Sequence, residues 1–237
     1  GSLKCAEQTT CTGRQMLRLM ISHFSEISQR YNLNDEDYNY SPIVGDSFTG
    51  DTPLYIKYKD SGLIDIKPIE QLINESSIEI DELGREYDYS KKEYYVLCRS
   101  GWVEPTYIYR HKTDKPIYRV TDGDTIVDVT EDHSLFNDKQ EKIKPSEINE
   151  NTKLEYFNNT ELLYNVSDTL RIGKYDIPNI IKCINNGSLT RIPCIIFNMG
   201  KDVMEEFYKE FMLNYKEDIV YNKTIIAGLQ FIKKKIN

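Results

Sequence analysis

The sequence predicts a mainly β protein, with short strands over roughly residues 47–157, a helix ahead of them and a small helical α+β unit behind them. Three observations carry this. Apolar and polar residues alternate with a two-residue period in LYIKY, EYYVLCRS, PTYIYRHK, KPIYRV and TIVDVTEDHSLF. Turn chemistry separates these runs, most clearly Asp122-Gly123-Asp124 between the last two. At both ends of the chain the period changes to three and four residues. Alternation is the mark of a half-buried strand, Asp-Gly of a tight hairpin, and the longer period of an amphipathic helix.

Taken in order, TGRQMLRLMISHFSEISQRY (12–31) reads as a helix, because Met16, Leu17, Met20, Ile21, Phe24 and Ile27 fall on one face and Thr10 or Thr12 is placed to cap it. A polar stretch then leads through Ser41-Pro42 and Ile43-Val44 to Gly45-Asp46-Ser47. The strands begin at Pro53. Near residues 157–165 the composition shifts, and the helical stripes Val203, Phe207, Phe211 and Ile225, Ile226, Leu229, Ile232 follow. The expected divisions are therefore 1–46, 47–157 and 158–237.

Composition narrows the function. A net charge of −8 over 237 residues argues against a surface that grips nucleic acid across a whole face, although Lys233, Lys234 and Lys235 gather at the end of the last helix. No run approaches the ~18 apolar residues of a membrane span. Cys5, Cys11, Cys98, Cys183 and Cys194 form no CxxC pair, and with three histidines they offer no zinc-ligand spacing. Reduced thiols in a cytosolic-type compartment are the expectation, with no cofactor and no metal bound in this chain.

Two places carry chemistry-bearing residues: Gly45-Asp46-Ser47, where extended chain enters the β-module, and Thr130-Glu131-Asp132-His133, which closes a strand. A hydroxyl nucleophile needs a group to move its protons, and histidine titrates nearest neutrality. One serine and one histidine far apart in sequence do not by themselves establish a pair.

A resemblance sharpens this. Ser47-Phe48-Thr49-Gly50-Asp51-Thr52 with the LYIKYKDSGLIDIKPIEQLI that follows resembles the opening block of inteins inserted in family B DNA polymerases. GWVEPTYIYRHKTDKPIYRVTDGDTIVDVTEDHSLF resembles their second block, which supplies Thr-x-x-His, here Thr130 and His133, and KIKPSEINENTKL resembles the close of the N-terminal half. The match covers about 47–157. It implies the horseshoe-like Hint fold, incomplete here at its C-terminal edge. Residues 5–46 resemble the polymerase up to its catalytic Asp-Thr-Asp turn, which makes 1–46 an N-extein with a helix. Asp46 would then be a polymerase metal ligand, but only after splicing.

The resemblance implies autocatalytic protein splicing. Ser47 Oγ attacks the Asp46 carbonyl at the scissile Asp46–Ser47 bond, His133 protonates the departing amide nitrogen, and Thr130 orients the peptide. Asp51 and Asp132 are expected to serve turns or solvent. His111 is assigned to structure, with no catalytic step. No His-Asn terminus occurs, and Asn237 is read as an accident of the endpoint. The expected partner is therefore a complementary C-terminal intein fragment carrying the remaining polymerase, joined by trans-splicing as in a split intein. DNA would be met only through the spliced polymerase, and the setting would be the cytoplasm of a cell infected by a virus or phage.

Residues 158–237 resemble the later part of LAGLIDADG homing endonucleases. The metal-holding Gly-x-x-x-x-Asp-Gly ending is replaced by Glu210-Phe211-Met212-Leu213-Asn214-Tyr215, which implies a degenerate remnant. The alternative function is a homing endonuclease or DNA-binding module on an inert Hint scaffold.

Overall fold

The computed structural model describes residues 5–9, 15–21, 47–98, 101–122, 125–155, 176–215 and 222–237. Its strands are β1 (Cys5–Thr9), β2 (Gln15–Ile21), β3 (Phe48–Thr49), β4 (Pro53–Tyr58), β5 (Ile64–Pro68), β6 (Ile78–Ile80) and β7 (Glu86–Asp88). They continue as β8 (Tyr94–Cys98), β9 (Gly101–Val103), β10 (Pro105–Lys112), β11 (Ile117–Asp122), β12 (Thr125–Thr130), β13 (Leu135–Phe136) and β14 (Lys142–Ile143). The helices are α1 (Asp176–Asn185), α2 (Cys194–Phe197), α3 (Lys201–Asn214) and α4 (Lys223–Ile236). Among the described residues the protein is mainly β, with the α-helices gathered toward the C-terminal end.

The chain divides into two compact units, each discontinuous in sequence. The first contains residues 1–50, 69–92 and 103–157, and the second contains 51–68, 93–102 and 158–237. The linear division into 47–157 and 158–237 does not describe this grouping, because two stretches of the β-region pack with the helices. Burial of apolar faces decides such grouping, and chain order does not.

The first unit holds an eight-stranded sheet in the order β1-β11-β12-β3-β2-β10-β7-β6. β11 and β12 pair antiparallel out to Asp122 opposite Thr125, as the Asp-Gly signal predicts. Along this ladder Arg119 faces Asp128 and donates Nε and Nη2 to its two carboxylate oxygens, each at 2.9 Å. Val120, Val129 and Ile148 form a small core, with Phe48, Leu135 and Ile143 packed against it.

Residues 15–21 overturn part of the helix expected over 12–31. QMLRLMI is strand β2, paired with β10 on one side and β3 on the other. Five of these seven residues are apolar, so over so short a run helical and strand periods cannot be told apart. Neighbours on both sides supply the backbone partners that a helix would otherwise supply internally. The rest of the expected helix, the polar stretch to Asp46 and the composition shift near 157–165 lie outside the described residues, apart from the β1 strand ahead of them.

A buried anchor holds the β6–β7 end of the first unit. Asp88 accepts from Lys92 Nζ, from Ser90 Oγ at 2.5 Å, from the Ser90 amide at 2.9 Å and from the Asn74 amide at 2.7 Å. Both charged side chains are almost fully buried. Burial pushes the Asp88 carboxyl up, but the hydrogen bonds from Lys92, Ser90 and the two amides outweigh it and hold the group below the usual carboxylate range.

The second unit sets a four-stranded sheet, in the order β5-β4-β8-β9, with the helices. Ile64 and Ile66 of β5 share a core with Ile177, Ile181, Phe197, Phe207, Phe211, Phe231 and Ile232. Each such side chain, fully buried, contributes roughly 1.5–3 kcal/mol. The expected stripes hold at Phe207, Phe211, Ile225 and Ile232; Val203 and Leu229 pack at the margin of this core. Phe231, absent from the expected stripe, is fully buried.

The last helix starts where Asn222 accepts from the Thr224 and Ile225 amides, and it ends on Lys233, Lys234 and Lys235, cations suited to the negative end of the helix dipole. Gly228 lets this helix approach closely, since a Cβ there would sit 2.9 Å from Ile192 Cδ1 and 3.1 Å from Phe197 Cζ. Gly228→Val should therefore overpack the core and destabilise by about 2 kcal/mol. The check is a lowered urea midpoint at an unchanged denaturant slope.

Candidate active site

The expected residues meet at the start of β3 and the end of β12. Val129 pairs with Phe48, which brings Thr130 alongside Ser47, 83 positions away in sequence. The Thr130 amide donates to the Ser47 carbonyl at 3.0 Å. The Thr130 hydroxyl lies 3.4 Å from both the Ser47 amide nitrogen and the Ser47 carbonyl oxygen. Ser47 and Thr130 are 2% and 1% exposed, so these contacts are shielded from competing water.

His133 follows from the same strand end. Its amide donates to the Thr130 carbonyl at 3.0 Å, closing a four-residue turn over Thr130-Glu131-Asp132-His133. That turn is the physical content of the Thr-x-x-His spacing, because it folds the histidine back beside the strand it leaves. The His133 ring stands edge-on to Phe48, with centroids 6.5 Å apart. Ser47 and Thr130 are thus in direct contact and His133 is turned back to Thr130 and Phe48, whereas Asp46 lies outside the described residues.

The two acidic neighbours have structural partners. Asp51 accepts from Lys223 Nζ at 2.5 Å, within the second unit. Asp132 takes the Lys115 ammonium on one carboxylate oxygen, and the Thr130 hydroxyl, two residues earlier, favours its charged form. Burial raises the Asp132 carboxyl, but these two partners outweigh it and hold the group ionised below the usual range. The Thr130 hydroxyl has one proton, which it gives to the Ser47 carbonyl, leaving its lone pairs to accept from the Ser47 amide.

One residue given no chemistry by its sequence reaches Ser47. Ser47 Oγ lies 3.1 Å from His111 Nε2. His111 Nδ1 lies 2.8 Å from the Lys112 carbonyl, and the ring stacks on Tyr109 with centroids 5.3 Å apart. The alternation of PTYIYRHK places Tyr107, Tyr109 and His111 on one face of β10, but nothing local states which strand lies within reach. A cavity of about 530 Å³ opens beside this ring, lined by Leu83, Gly84, Arg85, Glu86, Arg110, His111 and Lys112.

The chain is similar to DNA polymerases. It is 32% identical over 155 residues to the DNA polymerase of Acanthamoeba polyphaga mimivirus, a match covering 62% of this chain and 8% of that protein. With the DNA polymerase of Thermococcus aggregans it shares 31% identity over 154 residues, covering 62% and 8% respectively. With that of Thermococcus hydrothermalis it shares 30% over 176 residues, covering 63% and 9%. The chain spans less than a tenth of the length of these curated relatives, as a segment inserted in a polymerase would. No family model matches the chain, and no solved structure matches it.

Among the described residues, no group of three or more His, Cys, Asp or Glu side chains is arranged to hold a metal ion. None of the described helices is long and apolar enough to cross a membrane.

Proposed function

We propose that this chain is an intein segment within a family B DNA polymerase, and that Ser47 begins protein splicing by an N-to-O acyl shift at the Asp46–Ser47 bond. The observation that carries the reading is the grip of Thr130 on Ser47, with backbone and side chain both engaged around a buried serine. The Ser47 amide is the nitrogen that must leave in such a shift. Fixing it in a buried site orients the peptide before attack, which converts binding energy into a lower barrier.

In this reading the Ser47 oxygen forms a bond to the Asp46 carbonyl carbon, the carbon–nitrogen bond breaks, and an ester replaces the amide. His133 protonates the nitrogen as it departs. An ester is less stable than an amide, so trapping by later steps must pull the equilibrium forward. Those steps belong to a complementary C-terminal intein segment that carries the remaining polymerase and completes the Hint fold. Residues 158–237 are, in the same reading, a degenerate homing-endonuclease remnant; α3 ends at Asn214 without the acidic ending that such enzymes use for metal.

Hydroxylamine at neutral pH tests the assignment, because it attacks an ester far faster than an amide. Intact mass spectrometry should show release of a fragment ending at Asp46, and Ser47→Ala should abolish it. Equal release from Ser47→Ala would remove the serine from the chemistry.

A further inference from the structure

We propose that His111 is the catalytic base that takes the Ser47 hydroxyl proton, which divides proton transfer between two histidines. This assignment rests on the splicing reading and adds a residue that the Thr-x-x-His motif does not contain. The geometry fixes the direction of transfer. A carbonyl oxygen only accepts, so the 2.8 Å contact between His111 Nδ1 and the Lys112 carbonyl requires the ring proton to sit on Nδ1. The Nε2 lone pair of the neutral ring then faces Ser47 Oγ at 3.1 Å, and the hydroxyl donates to it. A base locked in one tautomer by a backbone carbonyl, with its free nitrogen on a buried serine, is the arrangement that activates a hydroxyl.

Topology makes the contact specific. β2 lies between β3 and β10, with Met16 opposite both Thr49 and His111. Ser47 lies two residues before Thr49, so two strand spacings and two residue rises separate the serine and histidine backbones, roughly 12 Å. The two side chains have to extend toward each other to meet. Stacking on Tyr109 limits the rotation of the imidazole, so less freedom is lost when it aligns.

The protons balance across the step. Ser47 Oγ–H passes its proton to His111 Nε2 as oxygen bonds to the Asp46 carbonyl carbon. His133 gives a proton to the Ser47 nitrogen as the carbon–nitrogen bond breaks. His111 then returns its proton to water through the cavity beside it, and His133 regains one from water. Arg110, on the cavity wall, is paired with Glu75 and Glu86, and Arg85 with Asp81. The imidazolium therefore forms beside two arginines that already have counter-charges, with the Lys112 ammonium the remaining cation on the same wall.

The test combines two nucleophiles with one conservative variant. His111→Gln keeps an acceptor for the Ser47 hydroxyl but cannot take its proton. Hydroxylamine-dependent release of the fragment ending at Asp46 should fall about 10²–10⁴-fold in His111→Gln. In the Ser47→Cys background the same substitution should cost less than about 10-fold, because a thiol with pKa near 8.5 ionises with far less help. Equal losses in the two backgrounds, or no loss with Ser47, would overturn the base while leaving the acyl shift intact. Failure of both Ser47 and Ser47→Cys proteins to release the fragment, with the complementary C-terminal segment added as well as without it, would overturn the splicing reading, and the base with it. Long-range proton–nitrogen NMR of the three histidine rings gives a readout independent of activity. A His111 ring protonated on Nδ1 supports the assignment, and one protonated on Nε2 overturns it even where cleavage proceeds.

Discussion

His133→Ala is expected to slow release of the fragment ending at Asp46 by about 10²–10⁴-fold, the usual cost of losing a positioned general acid. An amine leaves a tetrahedral centre poorly unless its nitrogen is protonated, so the loss should fall on bond breaking. His133 is held for this by its own backbone, through the turn onto the Thr130 carbonyl, and by its perpendicular contact with the Phe48 ring. Replacing it with alanine removes the ring and leaves the turn's amide in place, so the fold should persist and only the rate should change. Single-turnover kinetics followed by mass spectrometry, with circular dichroism beside it, separates these effects. A variant that cleaves at the parental rate would exclude His133 as the acid.

Asp88→Ala is expected to destabilise the first unit by about 3–5 kcal/mol, the cost of leaving one partner of a buried ion pair alone. Lys92 would keep a buried ammonium without its counter-ion, and the Asn74 and Ser90 amides would lose their acceptor. Adding Lys92→Met should recover part of the loss, since an apolar side chain of similar length needs no partner. Urea unfolding of the single and double variants measures both.

The same anchor has a signed pH dependence. The folded-state Asp88 carboxyl titrates below its unfolded value, so its stabilisation is complete above the unfolded pKa near 3.9 and is lost as pH falls through the folded value. The parent should therefore lose stability over that acid range more steeply than Asp88→Ala. Parallel curves would remove Asp88 from the acid response.

Much of the β-region was legible because its determinants are local. β4, β8, β10, β11 and β12 each announce themselves by alternation, and the pairing of β11 with β12 follows from two turn residues between them. Helices α3 and α4 show their buried faces in the spacing of Phe207, Phe211, Ile225 and Ile232. Gln15–Ile21 were misread because a short apolar run satisfies both periods, and the choice was made by the partners β3 and β10 offered on either side.

The sequence by itself pointed to Ser47 and to the Thr-x-x-His spacing, since one β-ladder sets Thr130 beside Ser47 and one four-residue turn folds His133 back to Thr130. Only the tertiary structure decided that His111 touches Ser47, that β4, β5 and β8 pack with the helices, and that Asp88 and Lys92 are buried as a pair. The physical reason is common to all three. Each depends on which strands become neighbours and which apolar faces are covered. Those outcomes depend on free energy summed over the whole chain, and no short run of residues encodes them.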